Sequence, residues 1–395
     1  MAFGLSRIRI RGFRSARDVE FTSGGILALV GEASAGKSNL LAATWALLDP
    51  GAPEPAPGDA FRGGPGGIDL EADLEQGGTI SLSASPPSPP ARRHAGAPAV
   101  LFLPGELRSA AIVAPSPGDA PAARRAATLL RTALSEQAVS TTAPALSFLA
   151  GVERCCRDGL SGVVLLIEEP ELYLRPQAQR YLYRLLREFA SAGNQVLYST
   201  HSPALLNIGR LEELALVRFE PERGTQVFQP EPLPAEESFR VVSEFDAERG
   251  ELFLARSAIL VEGRTEKLVL PFVFRALGHD ADREAISIIE CGGKSNIPLF
   301  AQICLATGVP FVAVHDRDAE PGEEPIAAER ALNRLIAEVA DRERTIVLAP
   351  DFEGIAGIAG HKPESAWRRF SSLAPGDVPR ELARAVAMAL ELAER

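Results

Sequence analysis

Apolar positions along this chain follow two periods, and together they outline two α/β regions. Near the N-terminus Ile8 and Ile10 alternate with Arg7, Arg9 and Arg11, the period-two pattern of a half-buried strand. A second strand follows, and then Ile26–Val30 runs without a polar break into a glycine-rich turn and a helix opening at residues 39–43. Residues 68–74 and 79–84 flank Gln76-Gly77-Gly78 and predict a hairpin. Residues 100–103 form an apolar strand that stops at Pro104, and 121–138 and 143–157 predict helices, with Pro121 suited to a first helical position. Residues 162–167 and 195–200 are apolar runs of the kind buried on both faces of a parallel sheet, separated by a predicted helix at 175–190. The Pro- and Gly-rich stretches 51–66 and 86–98 are expected to be irregular.

After residue 246 the alternation restarts. Strands at 258–261, 286–289, 310–314 and 345–348 are interleaved with helices at 265–277, 295–307 and 326–341. Short links between alternating elements describe a second, smaller, mostly parallel α/β domain. The polar, Pro- and Glu-rich stretch 219–245 is expected to hold the boundary, giving domains at 1–240 (with a variable β and loop region at 51–120) and 246–395. No internal repeat is visible.

Composition narrows this picture. A chain of 395 residues, 46% hydrophobic and 24% charged, suits a globular protein with a core in each domain. No run of about 18 apolar residues predicts a membrane helix, and the first residues carry no apolar secretory core. Cys155, Cys156, Cys291 and Cys304 show no C-x-x-C spacing, so free thiols, no zinc site and a cytoplasmic location are expected. The net charge of −11 argues against a generally basic nucleic-acid binder. The arginine stripe of the first strand, continued by Arg14 and Arg17, reads first as a solvated face and second as a phosphate-tracking edge. Lysine occurs only at Lys37, Lys267, Lys294 and Lys362, which marks places where a compact ammonium is needed.

Two sets of residues carry chemistry. Gly31-Glu32-Ala33-Ser34-Ala35-Gly36-Lys37-Ser38 fits the phosphate-binding P-loop in its strand–loop–helix setting. Backbone N–H groups and the helix N-terminus face phosphate oxygens there. Gly31, Ser34, Gly36, Lys37, Ser38 and Asn39 are the expected nucleotide contacts, with Lys37 on the β- and γ-phosphates and Ser38 on Mg²⁺. A P-loop also needs an acidic strand end. Glu168 is placed in the metal shell, Glu169 against the attacking water, and His201, at the end of the neighbouring strand, at the γ-phosphate. Taken with residues 165–171 and 199–203, the set resembles the ABC-type ATPase heads of DNA repair over about residues 1–235. That resemblance implies ATP, Mg²⁺ and a head-to-head homodimer. Glu168 departs from the usual Asp, and the signature turn is unclear among 134–137, 140–142 and 160–162.

The second set lies in the C-terminal region. Glu262 ends one predicted strand and Glu266 lies one turn into the next helix, while Asp316 and Asp318 end another strand. In an open α/β sheet the carboxyl ends of strands share one crevice, so these four should converge. Carboxylates gathered without counter-charge attract hard cations, and oxygen ligands select Mg²⁺ or Mn²⁺. With Ile289-Glu290-Cys291-Gly292-Gly293-Lys294 between them, they resemble a Toprim domain.

A P-loop head followed by Toprim resembles the OLD (overcoming lysogenization defect) nucleases. This resemblance implies ATP-linked DNA cleavage or nicking with two Mg²⁺ or Mn²⁺, in phage defence or repair. The implied partners are DNA, a second copy of the chain and a helicase-type protein. It also implies Glu353 as a ligand of the second metal, Lys362 opposite developing charge, and Lys294 at the scissile phosphate; Asp351 and Glu290 are further acidic candidates. Two alternatives remain open: a recombination-type DNA-binding ATPase whose Toprim-like half docks partners without cutting, and an RNA-directed or primase-like enzyme.

Overall fold

The computed structural model describes residues 4–394 except 63–65, 86–87, 89, 94, 96, 106–120, 136–142, 173, 208, 232–248, 320–322 and 359–362. The chain divides into two compact units, Met1–Pro232 and Leu233–Arg395. The division falls a few residues before the boundary expected at 240, beside residues outside those described.

The first unit is built on a mixed sheet. In chain order its strands are β1 (Leu5–Phe13), β2 (Ala16–Thr22), β3 (Ile26–Val30), β4 (Ile68–Leu74), β5 (Thr79–Ala84), β6 (Ala91–Arg93), β7 (Ala99–Leu103), β8 (Val163–Glu168), β9 (Gln195–Thr200), β10 (Leu214–Glu220) and β11 (Gly224–Phe228). They lie in the order β6-β5-β4-β1-β2-β11-β10-β3-β9-β8-β7. From β10 to β7 every pairing is parallel. Both faces of these strands are covered, so β3, β7 and β9 are buried at every position and their sequences lack alternation. From β6 to β10 the neighbours are antiparallel.

On β1, Ile8 and Ile10 enter the core as the alternation requires. Arg7 and Arg9 reach Glu20 at 2.6 and 2.8 Å, and Arg11 reaches Asp18 at 3.3 Å, across the β1–β2 pairing. The stripe is a set of compensated cross-strand pairs, each of small energetic weight. Two pieces of sheet fall where irregular chain was expected. Three-residue β6 lies within 86–98, too short for a period to show, and Arg92 caps the helix Lys37–Leu48 through Ala46 O at 2.7 Å. β11 lies within the expected linker and closes a hairpin with β10.

Two adjacent amides hold the start of β9 to its surroundings. Asn194 Nδ2 donates to Leu160 O at 2.6 Å and Phe189 O at 2.9 Å, and its Oδ1 accepts from Val163 N at 3.0 Å. Gln195 Oε1 accepts from Leu5 N at 2.9 Å, while Nε2 donates to Leu5 O and Gly24 O, both at 2.8 Å. Gln195 thus joins the parallel strands to the beginning of β1.

The second unit has the four-stranded order β13-β12-β14-β15, formed by β12 (Ser257–Val261), β13 (Ile286–Glu290), β14 (Phe311–Asp316) and β15 (Thr345–Leu348), all parallel. Helices Arg264–Ala276, Ile297–Thr307 and Ala327–Ala340 supply the crossovers close to their expected bounds. Helices Pro363–Phe370 and Arg380–Glu394 were not assigned from sequence; they close a core containing Phe274, Phe352, Phe370 and Val386. Among the described residues no helix is long and apolar enough to cross a membrane.

Replacing Gln195 by Leu strands the buried backbone N–H and C=O of Leu5. We expect a loss of about 2–4 kcal/mol in urea unfolding monitored by circular dichroism; a change below about 0.5 kcal/mol would show the amide to be dispensable.

Candidate nucleotide and metal-ion sites

The P-loop leaves the buried end of β3 and turns in a way only glycine permits at two positions. Gly31 has φ +155° and an added Cβ would lie 2.1 Å from Val217 O; Gly36 has φ +108° and its Cβ would lie 2.1 Å from Thr225 Oγ1. Ser34 also takes a left-handed φ of 65°. Lys37 opens the helix and is buried, with Nζ donating to Gly31 O at 2.8 Å and Glu32 O at 2.7 Å. Burial pulls its pKa down to about 8 against the opposing pull of Glu169, Glu171 and Glu32. A polyphosphate supplies the negative charge that returns it to full protonation. Ser38 is exposed beside it.

Asn39 Nδ2 donates to Ser15 Oγ at 2.7 Å, and Thr225 Oγ1 donates to Ala35 O at 3.0 Å, with Ser15 Oγ 2.7 Å from the same hydroxyl. Ser15 and Thr225 come from the β1–β2 turn and β11, so no local pattern marks them as P-loop supports.

The acidic strand end is where the sequence places it. Glu168 ends β8 and its Oε2 accepts from Gly105 N at 3.1 Å. Glu169 has φ 44°, its N–H donates to Ser199 O at 3.0 Å, and its carboxylate lies 3.4 Å from His201 Nε2. Burial and the nearby Lys37 hold the His201 pKa below the ordinary value, so the ring is neutral at pH 7. Glu171 has no role in the sequence reading. Its Oε1 accepts from Thr200 Oγ1 at 2.9 Å and His201 N at 2.7 Å, fixing the backbone that carries His201.

In the second unit, Glu262, Glu266, Glu290, Asp316 and Glu353 line one cleft of about 420 Å³. Glu262 follows β12, Glu290 ends β13 and Asp316 ends β14, so three carboxylates sit at the carboxyl ends of neighbouring strands. Glu353 comes from the short helix Phe352–Ala356, which Asp351 caps by accepting from Gly354 N at 2.7 Å. Glu262 Oε1 accepts from Asp316 N at 2.7 Å. Burial and then mutual repulsion raise the carboxyls: Glu262 to about 7, Asp316 to about 8, and Glu266 upward as well. Asp316 Oδ1 is buried with no hydrogen-bond partner. An all-oxygen donor set with an orphaned carboxylate oxygen fits a hard cation. As they stand, no three His, Cys, Asp or Glu side chains among the described residues are close enough to hold one ion. A cation bound here would have to draw these side chains together.

Two expected members, Asp318 and Lys294, pair with each other beside the cleft. Asp318, turned by a φ of 56°, places Oδ2 2.5 Å from Lys294 Nζ, and Lys294 also reaches Glu329 Oε2 at 2.9 Å. Asp318 and Lys294 neutralise one another outside the lining of the cleft, and Glu329, which supports them, lies on a crossover helix with no motif to mark it. Lys362 lies outside the described residues, as do positions 136–137 and 140–142 of the signature candidates. The lining also includes Arg264, which lies between Glu262 and Glu266 and has no role in the sequence reading.

The topology and motifs define the class: an ABC-type P-loop ATPase head followed by a Toprim domain. Comparison with known proteins agrees. Residues 253–318 match the family model "Overcoming lysogenization defect protein-like, TOPRIM domain", and residues 143–207 match "AAA domain, putative AbiEii toxin, Type IV TA system". The chain is 36% identical over 233 residues to the OLD nuclease of Thermus scotoductus, a match covering 54% of this chain and 44% of that one. It is 29% identical over 164 residues to the Old nuclease of Escherichia phage P2, covering 40% of this chain and 28% of that one. The matched region is less than half the length of either relative. Solved structures include the SMC head domain from Thermotoga maritima (TM-score 0.39, 14% identity, 57% of this chain and 99% of that one). They also include the C-terminal region of the Burkholderia pseudomallei OLD protein (TM-score 0.29, 15% identity, 35% of this chain and 98% of that one). The resemblance to the OLD nucleases is thus shown by family model and by curated relatives.

The raised carboxyls have a consequence for stability. Their folded pKa values of about 7 and about 8 exceed the ordinary carboxyl value, so the native state binds more protons than the unfolded chain from roughly pH 4 to 8. Stability from these groups is complete below that interval and is lost as pH rises through it. In EDTA the melting temperature of the second unit's transition should fall between pH 5 and 8.5. Asp316→Asn should flatten that decline and raise the melting temperature at pH 8. An unchanged slope in the variant would refute the assignment.

Proposed function

We propose that this chain is an ATP-binding and ATP-hydrolysing, divalent-metal-dependent DNA endonuclease. In this reading it is cytoplasmic, acts as a homodimer, and serves phage defence or DNA repair. The observation that carries it is the convergence of Glu262, Glu266, Glu290, Asp316 and Glu353 on one cleft at the carboxyl ends of parallel strands. The nuclease names of the curated relatives support it.

Glu262, Asp316, Glu266 and Glu353 would hold two Mg²⁺ or Mn²⁺ ions. Such ions supply an activated water and charge stabilisation for in-line displacement at phosphorus. The chain's own part is to preset the donors. The Asp316 N–H bond to Glu262 Oε1 fixes the two strand-end carboxyls relative to one another. At the other site Lys37 exchanges the carbonyls of Gly31 and Glu32 for phosphate oxygens. Glu169 accepts a proton from the attacking water, and neutral His201, 3.4 Å from that carboxylate, orients it. ATP sets the spacing of paired heads in this scheme and does not drive the cutting chemistry.

A second reading, a DNA-binding ATPase with a non-cutting Toprim-like module, is favoured by one observation: no three donors share an ion's reach among the described residues. ATP turnover without cleavage in either metal would select it.

Plasmid nicking in Mg²⁺ or Mn²⁺ separates the two. Asp316→Ala should lower nicking at least about 100-fold, and equal cutting by variant and parent removes the nuclease assignment. Lys37→Ala should abolish ATPase activity while leaving basal nicking within about threefold; joint loss in a folded protein would mean the sites are coupled. Glu169→Gln should retain ATP in equilibrium binding yet hydrolyse it at least about 100-fold more slowly.

A further inference from the structure

The acidic cleft poses a charge problem for its substrate. A phosphodiester is an anion, and five carboxylates line the cavity. If two divalent ions occupy it, four of those charges are offset and one remains. Among the described lining residues one side chain is cationic, Arg264. We infer that Arg264 binds the backbone phosphate of the nucleic acid at this cleft, offsetting the phosphate's charge and supplying a forked donor to its oxygens. This inference rests on the endonuclease reading and names the group that seats its substrate.

The surroundings suit that role. Arg264 is exposed, and it opens the 13-residue helix Arg264–Ala276. Gly263 precedes it, and Gly293, whose N–H donates to Glu262 O at 2.8 Å, is so open that an added Cβ would meet no atom within 4 Å. Chain can therefore approach on that side. Two other basic groups near the cleft are committed: Lys294 is held by Asp318 and Glu329, at 2.5 and 2.9 Å, and Arg249 Nε donates to Glu290 O at 2.7 Å. A planar guanidinium is matched to two phosphate oxygens at once, which an ammonium is not.

The test uses the full chain, a short labelled duplex and Mn²⁺, with the parent, Arg264→Ala, Arg264→Lys and Asp316→Ala compared. Arg264→Ala should raise KM for DNA about tenfold or more with kcat within about threefold, the signature of lost uniform binding. Arg264→Lys should recover part of that loss. Two readouts do not depend on cutting. Duplex binding followed by anisotropy in Ca²⁺ should weaken in Arg264→Ala, with the salt slope reduced by about one. Mn²⁺ binding followed by electron paramagnetic resonance should be retained. A parental KM together with a parental salt slope in Arg264→Ala overturns the assignment. Should that variant lose Mn²⁺ binding through misfolding, Arg264→Lys and Arg264→Gln decide, and parental KM in both overturns it equally. Inactive Asp316→Ala beside an unaffected Arg264→Ala sinks only this inference, whereas fully active Asp316→Ala sinks the endonuclease reading itself.

Discussion

Carboxylates that cannot all remain ionised together are the constraint behind the second unit. Parallel strands deliver their carboxyl ends to one side of a sheet, and here Glu262, Glu290 and Asp316 arrive there side by side. Burial and mutual repulsion push Glu262 and Asp316 well above the ordinary carboxyl range. The Asp316 N–H bond to Glu262 Oε1 ties two of these strand-end groups together. Such a cluster is costly for folding unless something else gains from it, and divalent ions bound there would relieve it.

The first unit handles the opposite charge by the same physics. Lys37 is a buried ammonium held by two loop carbonyls, with its pKa drawn down by desolvation. Gly31 and Gly36 let the loop pass against Val217 and Thr225 where a side chain would collide. Glu169 and His201 meet because β8 and β9 are adjacent parallel strands, and Glu171 anchors the turn that carries His201. In both units the functional groups sit where parallel strands stop, since a loop there is close to its neighbours and free of the ladder's hydrogen bonds.

Much of this was legible in the residues. The P-loop, Glu168-Glu169, His201, Glu262, Asp316 and the second α/β alternation are local patterns, because each joins a buried strand to the turn that follows it. Less legible were features built from distant segments. Thr225 and Ser15 brace the P-loop from far along the chain, and Glu329 meets Lys294 from a crossover helix. Sequence spacing groups Asp318 with Asp316, and only the folded chain shows the Asp318 carboxylate against Lys294.

The chain alone thus determined which strands are buried, where glycine is obligatory and which acidic residues end their strands. Those properties follow from side-chain polarity and backbone freedom within a few residues. Tertiary structure decided which charges neutralise each other. The arginine stripe of β1 became a set of cross-strand pairs, Lys294 met Asp318 and Glu329, and Arg264 came to line the cleft. Electrostatic partnership depends on through-space distance, and only the folded chain fixes that.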